Sequence, residues 1–196
     1  MKQKWNQFKE RQVRVHELDD RLLLLNLYLT QGLTLLAGFI WIWLQGRNPF
    51  ALLALPAGWQ WLWWSAGLAV VVVLVDIAVS QFVPEEMTDD GGMNDKLFGK
   101  RPVWHIVVIC LIVGICEELL FRGAVQHAFG PYWTSILFAA IHVRYLRHWL
   151  PTLMVFLISY ALGTVYEWTG TLWAPIAAHF FIDLIMGLIL RFRREL

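Results

Sequence analysis

Residues 114–130, GICEELLFRGAVQHAFG, set two adjacent carboxylates, Glu117 and Glu118, and a guanidinium, Arg122, at the end of a long apolar run. Glu118 and Arg122 are four apart, so on a helix they share a face and can form an ion pair. Glu117 points about 100° away from Glu118, out of easy reach of Arg122. A carboxylate without a partner in a dry site is suited to general acid–base work near neutral pH. Two imidazoles can meet it. His142 ends LFAAIHV, with Phe138 one helical turn before it on the same face, and His179 lies in WAPIAAHFFID, with Asp183 one turn after it. If Gly130-Pro131 reverses the chain, Glu117 and His142 both lie about 16–20 Å below the turn at the helical rise. His179 comes about 10–12 Å below the start of its own helix, which Pro175 suits as a first-turn residue, so modest tilt brings the three together. One base and two imidazoles at compatible depths form a set that can activate water and stabilise an oxyanion. The same three side chains are also carboxylate and imidazole ligands of the kind that hold catalytic zinc with a water.

Such residues are costly at membrane depth, and the rest of the chain argues for that setting. Of 196 residues, 58% are hydrophobic and 16% charged, against roughly 25% charged in soluble domains. Spans of about 20 apolar residues cross the hydrocarbon. The pattern predicts an all-α polytopic bundle of about six helices, at 22–44, 59–82, 103–129, 132–143, 150–166 and 172–190, forming a single membrane domain over 22–190. The helix at 132–143 is half-length and lines a polar cavity, since backbone ends are tolerated at depth only around such a space. Residues 84–102 are polar, with Gly, Asp and Pro, and read as a solvent-exposed loop. The four tryptophans at 59, 61, 63 and 64 read as an interfacial aromatic belt.

Lysines and arginines set the expected orientation. Residues 1–21 carry six, the loop at 83–102 three, the turn at 144–149 two and the tail 191–196 three, whereas the opposite side offers only Arg47. The positive-inside rule then places both termini in the cytoplasm. Residues 1–21 lack the apolar core of a signal peptide and read as a cytoplasmic segment. Cys110 and Cys116 fall in one apolar run at a spacing that does not favour their pairing. A net charge of +1 offers no field for nucleic acid.

Three short motifs carry a resemblance. EELLFR fits E-E-x-x-x-R, FAAIH fits F-x-x-x-H and HFFID fits H-x-x-x-N/D, in that order. Residues 103–190 thus resemble the catalytic core of the CPBP family, the CAAX-protease and bacteriocin-processing (Abi) intramembrane endopeptidases. The resemblance implies a glutamic-type peptidase in the bacterial cytoplasmic membrane, without a cofactor, acting on a membrane-anchored or hydrophobic peptide or protein. It implies Glu117 as general base on water, His142 assisting, and His179 stabilising the oxyanion with Asp183 behind it. Glu118 and Arg122 hold the helix face, and Phe138 supports the site. Asp183 departs from the asparagine of the eukaryotic prenyl-protein endopeptidases; an ionised aspartate accepts hydrogen bonds but does not donate them.

Other readings use the same residues. Zinc held by Glu117, His142 and His179 would make a metalloprotease, although H-E-x-x-H is absent. Buried Glu, His and Asp also build proton relays in transporters, but the paired repeats of that class are not seen. A non-catalytic immunity protein would have little need of intact motifs. A rhomboid-type serine protease lacks its Gly-x-Ser at a helix start.

Overall fold

The computed structural model describes residues 19–84, 87 and 91–193. The basic segment expected at 1–21 falls outside them except for its last three residues, as do residues 194–196 of the expected tail. All regular structure among the described residues is helical: α1 (Asp20–Leu44), α2 (Pro49–Leu52), α3 (Gln60–Phe82), α4 (Met93–Phe98), α5 (Val103–Glu118), a π-helical segment (Leu119–Val125), α6 (Gln126–Ile141), α7 (Trp149–Thr169) and α8 (Trp173–Phe192). Among the described residues, five stretches are long and apolar enough to cross a membrane: α1, α3, the continuous run Val103–Ile141, α7 and α8. Their boundaries follow local chemistry. Asp19 caps α1 by accepting from the Arg21 amide at 2.8 Å. Val83-Pro84 ends α3, and Gly170, at φ +66°, ends α7.

The expected half-length helix is the returning arm of the Val103–Ile141 run. Helical hydrogen bonding continues past the expected break, but Gly130 alone leaves helical geometry, at φ 74° and ψ 170°, a conformation open to glycine and followed by Pro131. The chain folds back there. Phe121, nine residues before Gly130, and Phe138, eight after it, stand edge to face with centroids 4.8 Å apart, and with Val125 they form one buried cluster.

Neighbouring contacts fix the helix directions. Successive residues of α1 meet successive residues of α5 and the π segment, so these run parallel: Tyr28 with His105, Gln31 with Glu117, and Gln45 with Ala124. Ser65 on α3 donates to the Ala174 carbonyl on α8 at 2.8 Å, and Ala69 and Val72 pack on Ile182 further along, so α3 and α8 are also parallel. α8 is the central helix, packed most extensively on α3 and α5. α1 sits at the edge, with Gln31, Gly38 and Ile42 as its buried stripe against α5 and the π segment. Gly38 allows that approach: a Cβ there would stand 3.1 Å from the Leu120 backbone nitrogen.

The expectation of a solvent-exposed loop at 84–102 needs correction. Within it α4 forms and buries Leu97, 6% exposed, while Phe98 packs beside Gly187 of α8. Leu97 and Phe98, at the end of this six-residue helix, pack the polar segment onto the bundle, and Asn94 Nδ2 donates to Tyr145 Oη at 3.2 Å. Lys96 pairs with Asp20 at 2.9 Å, and Arg191 donates to the Arg101 carbonyl at 3.0 Å. The start of α1, the α4 segment and the end of α8 therefore gather at one end of the bundle.

Candidate active site

The site is built where α5 passes into the π segment. Glu118 is fully buried, and its Oε1 accepts from Arg122 Nη1 at 2.9 Å and from His179 Nδ1 at 2.7 Å. Arg122, also fully buried, donates through Nη2 to the Ser159 carbonyl at 2.8 Å and to Ser159 Oγ at 3.0 Å on α7. Its guanidinium also lies 5.2 Å from the Phe138 ring centroid. The pair expected from the i, i+4 spacing is thus one segment of a network tying α5, the π segment, α7 and α8 together. Ser159 was not singled out in the sequence; it is a neutral residue in an apolar helix with no motif around it.

Glu117 faces the other way and is half-buried. Its Oε1 accepts from Gln31 Nε2 of α1 at 3.0 Å, so the expectation of a carboxylate without a partner needs correction. Gln31 carries no charge and lies in no motif. A polar amide in the middle of an apolar span is the signal that would have found it.

His142 lies just past α6, and its Nδ1 is 2.7 Å from the Phe138 carbonyl. A carbonyl only accepts, so Nδ1 carries the hydrogen and Nε2 of the neutral ring keeps its lone pair. Glu117 is within electrostatic reach of His142. One turn closer to Gly130 on each arm, Phe121 and Phe138 are the contacting pair, so the hairpin sets Glu117 and His142 at the same level. Phe138 also links the two histidines: its centroid is 4.5 Å from that of His142 and 6.5 Å from that of His179.

Glu118 and Asp183 take the two sides of the His179 ring. The group behind His179 is Glu118, which holds Nδ1. Asp183 stands on the opposite edge of the ring, its Oδ2 3.4 Å from Nε2, with its side chain 34% exposed. The two ring nitrogens thus face two carboxylates of different character, one sealed and one open. Among the described residues, no three His, Cys, Asp or Glu side chains are gathered as metal ligands. Cys110 and Cys116 are free thiols.

A half-buried carboxylate, a histidine whose Nε2 keeps its lone pair and a second histidine held from behind are groups of the kind a hydrolytic site uses, set here among helices long enough to cross a membrane. The family described as type II CAAX prenyl endopeptidase Rce1-like matches residues 99–185, which include every one of these ionisable groups. The chain is 45% identical over 131 residues to the uncharacterized protein YpbD of Bacillus subtilis (strain 168), covering 67% of this chain and 69% of that one. No solved structure matches it. The chain belongs to the Rce1-like CAAX endopeptidase family, a group within CPBP, and is an integral membrane protein of that peptidase class.

Proposed function

We propose that the protein is a glutamic-type intramembrane endopeptidase that hydrolyses a peptide bond of a membrane-associated protein or peptide without a metal. The observation that carries this reading is the Phe138 ring standing between His142 and His179, on the hairpin that levels His142 with Glu117. Glu117 takes a proton from a water whose other hydrogen is accepted by His142 Nε2. The oxygen attacks the peptide carbonyl, and the developing oxyanion accepts from the Nε2–H of a His179 imidazolium, whose Nδ1–H is held by Glu118. Glu117 then returns its proton to the amide nitrogen as the C–N bond breaks, leaving a carboxylic acid and an amine. Asp183, on the Nε2 edge, lines the place where the oxyanion forms and sets its electrostatic surroundings. We place both termini in the cytoplasm of a bacterial inner membrane on the strength of the lysine and arginine distribution.

The test uses purified protein and a quenched membrane-peptide library. Glu117→Gln is expected to lower cleavage about 10²–10⁴-fold, the range for loss of a general base, while a strong zinc chelator leaves the wild type unchanged. Cleavage abolished by the chelator and restored by zinc would replace this reading with a metalloprotease holding zinc through Glu117, His142 and His179.

A further inference from the structure

The hydrogen bond from Gln31 to Glu117 joins an edge helix to the centre of the site, and it comes from outside the family-matched residues 99–185. Gln31 is 7% exposed and is the polar member of the buried stripe on α1. A buried amide among apolar neighbours is costly unless its hydrogen bonds are made. Gln31 makes one, and its Oε1 is buried without a partner among the described residues. Packing alone favours an apolar side chain at this position. The donor is the property an apolar side chain lacks.

We infer that Gln31 is a positioning residue for Glu117, holding one carboxylate oxygen so that the other faces the attacking water. The inference rests on Glu117 being the base. Most of the other donors around Glu117 are committed elsewhere, although Arg122 Nε is buried without a partner among the described residues. Arg122 Nη1 and Nη2 serve Glu118 and Ser159, His179 Nδ1 serves Glu118, and His142 Nδ1 serves the Phe138 carbonyl. Cys116, the preceding residue, is a buried free thiol, and Asp183 lies at the far edge of His179. Without Gln31 the Glu117 carboxylate is free to turn about its last torsion, which is broad and roughly two-fold. An amide also suits a group that must both take and return a proton. Its N–H₂ donates to the carboxylate, and after rotation its oxygen accepts from the carboxylic acid, so the base is held through both halves of the cycle. The close approach of Gly38 to Leu120, two helical turns along the same stripe, sets the distance over which the amide reaches.

The experiment compares wild type, Gln31→Met, Gln31→Glu and Glu117→Gln in lipid nanodiscs, with two readouts. The first needs no substrate. Infrared difference spectra identify the carboxylate stretch that Glu117→Gln removes, and that band is expected to move in Gln31→Met because its amide donor is gone. A band at the wild-type frequency overturns the inference. The second uses a library peptide cleaved by wild type. Gln31→Met is expected to lower kcat about tenfold with KM within about twofold, as for loss of a hydrogen bond to a charged group made during chemistry. Gln31→Glu keeps the chain length but replaces the donor with a like charge, and is expected to lose more. A loss confined to KM, or one that tracks folded protein, overturns the positioning role. The two ideas fail differently. An inactive Glu117→Gln beside a Gln31→Met of wild-type kcat removes Gln31 alone; an active Glu117→Gln removes the base and its positioning residue together.

Discussion

Glu118 is sealed and takes two donors on one oxygen, from Arg122 and His179, whereas Glu117, one residue earlier, is half-buried and takes a single donor from Gln31. The difference comes from helix geometry: about 100° of rotation turns one carboxylate toward α7 and α8 and the other toward α1. On the first side, neighbouring helices surround the group and hold one of its oxygens, while Oε2 is buried without a partner among the described residues. On the second, α1 packs only through a narrow stripe. A carboxylate held by a buried cation and an imidazole is fixed in place and has little freedom to exchange protons. One with a single neutral donor and access to the site remains available for chemistry. On the proposed mechanism, a single residue step along the helix supplies both an anchor and a reagent.

The contrast can be broken most severely on the anchor side. Arg122→Met leaves Glu118 buried without its cation and is expected to cost about 3–5 kcal/mol, read as a lower unfolding midpoint in detergent. Gly38→Leu acts on the other side: its Cβ meets the Leu120 backbone at 3.1 and 3.2 Å, so α1 must move away. About 1–3 kcal/mol of stability is expected to go with it, together with the Glu117 infrared shift described for Gln31→Met. Ser159→Ala removes one of two acceptors from Arg122 Nη2 and leaves the Ser159 carbonyl, so unfolding should report a loss of about 1 kcal/mol or less. Glu117→Gln sharpens the contrast by its small effect on stability, within about 0.5 kcal/mol, beside its large effect on cleavage. If Glu117→Gln destabilised the fold as much as Arg122→Met, the distinction between anchor and reagent would fail.

Much of this was legible in the residues. Apolar runs bounded by Gly and Pro locate the five membrane-long stretches, and Gly130-Pro131 marks the hairpin. The i, i+4 spacings bring Glu118 to Arg122 and Asp183 to His179. What stayed hidden is of three kinds. The Gln31–Glu117 bond spans 86 positions and involves an uncharged amide, so neither local spacing nor charge announces it. The edge of His179 that Asp183 faces depends on how the ring is turned by Glu118, a tertiary contact. The π segment is a hydrogen-bonding pattern of the backbone, and LLFRGAV carries no residue signature for it.

That π segment has a consequence for how relatives are aligned. A helix bonded from i to i+5 encloses one residue more per loop than one bonded from i to i+4, so Leu119–Val125 absorbs an extra residue without turning the helices on either side. A relative shorter by one residue after Arg122 is expected to close into an ordinary helix with both flanking faces unchanged. An alignment gap at 123–125 is then compatible with an intact centre, whereas the same gap between Glu118 and Arg122 separates an ion pair that the fold buries completely. Insertions and deletions in this stretch should be weighed by position and not by number.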